Sequence, residues 1–171
     1  YLAGCGLANG TDATNDINIA AGVCADSTNV VMMTVAAMAG KQLDVGWAAG
    51  ASAGMRNSAA AITDTTYHIY AVSTAAAATQ DIYAHTSTTV ATVITALQAE
   101  TGGGSYLYAR RIGSIVRAAG TILGFTQDGN LFELNTSVLD IDVNTAGSSA
   151  VTRTLASVPL GINVRAIMNV G

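Results

Sequence analysis

Gly50-Ala-Ser52-Ala-Gly54 spells the G-x-S-x-G of a nucleophile elbow, so Ser52 is the serine with a hydrolase's letters around it. The elbow works because a sharp strand-to-helix turn lifts the hydroxyl above a sheet. Here Ser52 follows Trp47 in a run of Ala, Gly and Ser with no helical pattern behind it, and a surface loop is expected. A triad would also need a histidine. His68 and His85 both fall within strand-like stretches, His68 with Tyr70 and His85 after Tyr83.

Asp140 and Asp142 are the paired carboxylates. On a strand they would share a face with Cβ atoms roughly 7 Å apart, inside the range for acid and base work on a sugar. Alternating Asp on a solvated strand face gives the same pattern, and that reading is adopted. Calcium would need a loop of spaced ligands; Asn135 and Asn144 are near in sequence but do not supply one. Arg110 and Arg111 point to opposite faces of their strand, and a covered guanidinium needs an anion, Asp81 or Glu133 being the expected partners. Recognition of an acidic glycan is the alternative. Tyr67, Tyr70, Tyr83, Tyr106, Tyr108 and Trp47 could stack on sugar rings, but their placement in strands predicts packing. Gly102-Gly103-Gly104 has no following Lys or helix start and is no phosphate loop. Cys5 and Cys24, nineteen positions apart, read as two buried apolar side chains, with a disulfide as alternative and a metal site short of ligands. Residue types and spacing assign no catalytic or metal-ligating residue and no cofactor; ligand-binding residues stay unassigned.

The elements that must carry these residues are mostly strands. The stretch 105–134 reads as a three-stranded antiparallel meander: 106–117, a short loop ending in Gly120, 121–127, the Asp128-Gly129 hairpin signal, and 131–134. Upstream, 1–10 reads as an irregular entry loop, 16–22 as a half-buried strand, 24–29 as a turn and 30–38 as a strand buried on both faces. Residues 39–41 then turn the chain into a strand carrying Leu43, Val45 and Trp47, followed by a loop over 48–61. The segment 65–73 alternates clearly, with His68, Tyr70 and Val72 on one face and Tyr67, Ile69 and Ala71 on the other. After a turn over 75–79, 81–86 is its antiparallel partner. Val90, Val93, Ile94 and Leu97 fall at helical spacing, predicting one short helix over 90–100. Further strands are expected at 138–143, 151–155 and 162–170, the last two separated by Pro159. The expectation is one all-β domain over 1–171, an antiparallel, jelly-roll-like β-sandwich of about nine to eleven short strands.

Composition narrows function by exclusion. A net charge of −4 with seven Lys and Arg argues against nucleic acid and against an anionic membrane surface. No uncharged apolar run is long enough to span a bilayer as a helix, and no signal-peptide pattern opens the chain. Charged residues are 11% and aromatics 5%, so Thr, Ser, Asn and Ala must cover the surface. That composition suits flat sheets and subunit contacts. The initial Tyr suggests a processed product or part of a longer chain.

In order along the chain stand Trp47-Ala-Ala-Gly50, Thr66-Tyr-His-Ile-Tyr-Ala-Val72, Asp81-Ile-Tyr-Ala-His-Thr-Ser87, Arg110-Arg-Ile-Gly-Ser-Ile115 and Phe125-Thr-Gln-Asp-Gly-Asn-Leu-Phe132. This series, with Ser157-Val-Pro-Leu-Gly161, resembles a domain of tailed-bacteriophage and prophage virion appendage proteins, such as tail or head fibres. The resemblance runs over about 2–134. One departure is the loop 88–104, which is rich in proline in that group and has none here, so loop shape is not carried over. The resemblance implies a non-enzymatic structural part of a virion, assembled in the host bacterial cytoplasm and homotrimeric, whose partners are itself and other virion proteins. A host-receptor or glycan-binding domain at a fibre tip, working through loops 46–62 and 86–105, is the alternative. A polysaccharide hydrolase using Asp140 and Asp142 is a further one.

Overall fold

The computed structural model describes residues 1–75, 77, 79–142, 150 and 152–168. Within them the chain is all-β with one short helix. The strands are β1 (Leu2–Gly4), β2 (Leu7–Asn9), β3 (Asp16–Ile19), β4 (Gly22–Ala25), β5 (Met32–Val35), β6 (Met38–Gly46), β7 (Gly54–Arg56), β8 (Thr66–Thr74) and β9 (Gln80–His85). Helix α1 (Val90–Gln98) follows, then β10 (Tyr106–Ala118), β11 (Thr121–Ile122), β12 (Phe125–Asp128) and β13 (Leu131–Leu134).

Eight strands form one sheet in the order β11-β10-β8-β9-β7-β6-β3-β2. Strand β8 lies inside it, paired antiparallel to β10 and β9. Its alternation fixes both faces. Tyr67, Ile69 and Ala71 join Ile82, Ala84 and Ile115 in the larger core, while Tyr70 and Val72 join Tyr83 in the smaller one. A second sheet, β1-β4-β5, covers the first face and adds Cys24, Met33 and Val35 to the larger core. Helix α1 covers the other face through Val93 and Leu97. Period-2 and period-3.6 patterns thus meet across a sheet buried on both sides.

Five expectations change. The opening residues form the edge strands β1 and β2 in place of an irregular loop. Strand β5 alternates exposed and buried, so the Val- and Met-rich run is covered on one face only. Residues 39–41 do not end a strand: β6 runs through them, with Gly40 at φ +64° and a register shift against β3. The 48–61 loop contains β7, which pairs parallel to β6 and β9, so the sheet is mixed. The meander is interrupted after Ile122, and β12–β13 is a separate hairpin. Among the described residues thirteen strands stand where about nine to eleven were expected.

Positive φ shapes two tight hairpin turns in particular. In β10–β11, Ala118 pairs with Thr121, leaving Ala119 at φ +49° and Gly120 at φ +80° as a two-residue loop of type I′ signs. Alanine resists that conformation. Ala119→Asn is expected to raise the unfolding free energy by about 0.5–1 kcal/mol, seen as a higher urea midpoint with unchanged slope. In β12–β13 the register pairs Asp128 with Leu131, so the loop is Gly129-Asn130, with Gly129 at φ +57°. Gly129→Val is expected to cost about 1–2 kcal/mol, since a β-branched side chain opposes that φ. An unchanged thermal midpoint would contradict the turn.

The expected strands near the C-terminus are corrected. Residues 138–142, 152–155 and 162–168 form no strand; Val143, Val151 and Val170 lie outside the described residues. Alternation alone does not make a strand, because the ladder needs a neighbour to receive its N–H and C=O groups.

Candidate functional site

Lys41 and Asp81 form the fully buried ion pair among the described residues. Lys41, the only lysine of the chain, projects from β6 with its side chain 0% exposed. Its Nζ donates to Asp81 Oδ1 at 2.9 Å and to the carbonyls of Ala48 at 3.0 Å and Gly50 at 3.1 Å. Asp81 Oδ2 accepts the Gly50 N–H at 2.7 Å. Burial pushes the Lys41 amine below its ordinary value, and the Asp81 charge opposes that fall. Asp81 Oδ1 also accepts the Ile82 N–H at 2.6 Å, and the pair's remaining bonds, to Ala48 and Gly50, pin the loop between β6 and β7 to β9. Beside it, Trp47 Nε1 donates to the Ile82 carbonyl at 3.1 Å, and its ring meets Tyr106 edge-on.

A second cluster is His68, Ser114 and His85. His68 and Ser114 are cross-strand partners, and their Nδ1 and Oγ lie 2.8 Å apart, both buried. His85 sits opposite His68 on β9, and its Nδ1 accepts the Ser87 N–H at 2.8 Å. Burial, with the charges of Arg111 and His85, holds His68 down at about 4; burial lowers His85 too. A serine against a histidine is the start of a nucleophilic pair. An imidazole held near 4 is a weak base at neutral pH, and among the described residues no carboxylate hydrogen-bonds either histidine. The C-terminal segment closes over this corner, where the Leu160 N–H reaches Thr66 Oγ1 at 2.9 Å. The contact is a packed polar staple between β8 and β10. Sequence reading missed it, since forty-six positions separate the two residues.

Two other carboxylates are turned to loops. Glu100 accepts the Ser58 N–H at 2.7 Å, its hydroxyl and the Tyr83 hydroxyl. Asp26 collects Thr28, Val30 and Val31 N–H groups. Burial raises the Asp26 carboxyl, but these bonds and the Thr28 hydroxyl outweigh it and hold it at about 2.

The residues singled out by sequence are dispersed. Ser52 is exposed at φ +55° in a loop between β6 and β7, and its Oγ reaches only the Ala39 carbonyl, at 3.5 Å. Asp140 and Asp142 do not share a strand face. Asp140 accepts from the Ala156 and Ser157 N–H groups and the Ser157 hydroxyl, while Asp142 is exposed. Asn144 lies outside the described residues. The expected ion pairs of Arg110 and Arg111 are not formed, because Asp81 is taken by Lys41; the ion pairs among the described residues are Lys41–Asp81 and Arg117–Asp64. Tyr67, Tyr70, Tyr83, Tyr106 and Trp47 are buried as packing predicts, leaving only Tyr108 of that set part-exposed. Cys5 and Cys24 are free, buried thiols in the larger core. A hydrogen bond from Cys24 lowers the Cys5 thiol, and the same contact with burial raises that of Cys24.

Two surface depressions, each about 330 Å³, are lined by 155–164 and by residues of 6–39 with no titratable side chain. No three His, Cys, Asp or Glu residues gather to hold a metal ion among the described residues. Comparison with protein-family models, curated proteins and solved structures finds no match.

Proposed function

We propose that the chain is a structural, non-catalytic domain of a tailed-bacteriophage virion, a tail- or head-fibre component that works by packing against copies of itself, as a homotrimer, and against other virion proteins. The observation that carries the reading is where the apolar side chains lie. The polar clusters of the sheet are closed on internal partners, whereas Val30 (72% exposed), Leu139 (77%) and Ile167 (82%) stand in solvent on a chain only 11% charged. Large apolar residues left outside a charge-poor surface are what a subunit contact covers. The ordered motif series from Trp47 to Phe132 supplies the virion context. Mass spectrometry of tailed-phage particles purified from a host encoding the chain tests it. Peptides of this chain in stoichiometric amount are expected; particles lacking them would overturn the reading.

A second reading has one observation in its favour. Arg111 is exposed and forms no ion pair among the described residues, leaving its guanidinium for an acidic glycan of the host surface. Binding on a glycan array that Arg111→Gln abolishes would favour it.

A further inference from the structure

Segment 162–168 has the makings of a strand with nothing to pair with. Ile162, Val164, Ala166 and Met168 alternate with Asn163, Arg165 and Ile167. Val164 is 45% exposed and Met168 59%. Among the described residues none of its backbone groups forms a backbone hydrogen bond. Residues 152–168 contain no strand or helix, a longer structureless stretch than compact domains usually carry.

The same chain carries a sheet edge left bare. Strand β5 is the outer strand of the order β1-β4-β5, and no strand pairs its other side among the described residues. Residues 30–37 read Val-Val-Met-Met-Thr-Val-Ala-Ala, without a charge or a proline. Met32 is 51% exposed on it. Natural edges are blunted by charge, proline, shortness or a cover. Of the other edges, β11 has two residues, β1 has three, β2 lies under β12 with the Leu7 N–H capped by Gln127 at 2.6 Å, and β13 carries the exposed charge of Glu133.

We propose that segment 162–168 of one copy adds as a strand to the β5 edge of a second copy. This rests on the self-association reading above and names its surface. A partner in the same chain is disfavoured by position. Leu160 is tied to Thr66, whose side chain shares the helix-covered face with His68, Tyr70 and Val72. Strand β5 sits on the opposite face, with Met33 and Val35 in the larger core. The arm's anchor at Leu160 and its own β5 therefore lie on opposite faces of the eight-stranded sheet. Strand addition supplies the missing ladder to both halves, and alternate apolar side chains then set its register.

Light scattering on the full chain, with Val164→Pro and Thr34→Lys, tests this. Both positions are exposed, so matching thermal midpoints serve as the folding control. The wild type is expected to assemble, and each substitution to weaken assembly by roughly tenfold or more, from lost ladder bonds or a charge on the edge. Mixing Thr34→Cys with Val164→Cys chains should give a disulfide joining the two. Assembly untouched by both substitutions would overturn strand addition and leave the self-association reading standing. A monomeric wild type would overturn both. A cross-link formed only within a doubly substituted chain would also overturn it.

Discussion

Lys41→Met is expected to lower the unfolding free energy by about 3–5 kcal/mol, because it leaves a buried carboxylate without its countercharge. The Asp81 side chain is 2% exposed, and the ammonium 2.9 Å away is its one ion-pair partner among the described residues. The same substitution frees the Ala48 and Gly50 carbonyls that hold the β6–β7 loop. Lys41→Met combined with Asp81→Leu should cost much less than either alone, since removing both charges removes the desolvation penalty. Denaturant unfolding of the three variants measures the coupling. Additive losses would show that the pair does not act as a unit. Because Lys41 is the only lysine, amine acylation offers a second readout. Its amine should stay unmodified in the folded chain and react once the chain is unfolded.

Acidification is expected to destabilise the protein in two separate steps. Folded His68 takes its proton at about 4 whereas the free side chain does so at 6.5. Between those values the unfolded chain holds more protons, so stability falls as pH drops from 6.5 towards 4, by about 2–3 kcal/mol for this group. His85, lowered by burial, acts in the same direction. Arg111 and His85 are the charges that face His68, and both oppose its protonation. Asp26 acts in the same direction at lower pH: its carboxyl is held at about 2, so its stabilisation survives the first step and is lost only as pH falls from 3.8 through that value. Unfolding free energies measured from pH 7 to 2 should show both steps, and His68→Gln should flatten the upper one. A flat profile between 6.5 and 4 would contradict the buried pair.

What the sequence revealed and what it hid divide along sequence separation. The segment around Tyr67–Val72 announced itself because both faces carry aromatic or branched residues, and it became the buried strand β8. Helix α1 was legible from Val90, Val93, Ile94 and Leu97, two of which meet the sheet. The Gly129 turn was legible because glycine accepts φ +57°. The polar staples were not. Lys41 looked like a turn residue because its partner lies forty positions on, and Ser114 meets His68 only through the register of β8 and β10. Alternation at 138–142 and 162–168 misled for a related reason: it records which face a strand would bury, and says nothing about which neighbour pairs with it.

The central proposal is that a charge-poor exterior, with its exposed apolar residues and bare strand edge, meets other copies of the chain. Sedimentation velocity on the intact chain at micromolar concentration reads this most directly. It should report an assembly, three copies if the fibre reading holds, that redistributes towards single chains on dilution; a single species of one-chain mass at every concentration would contradict it.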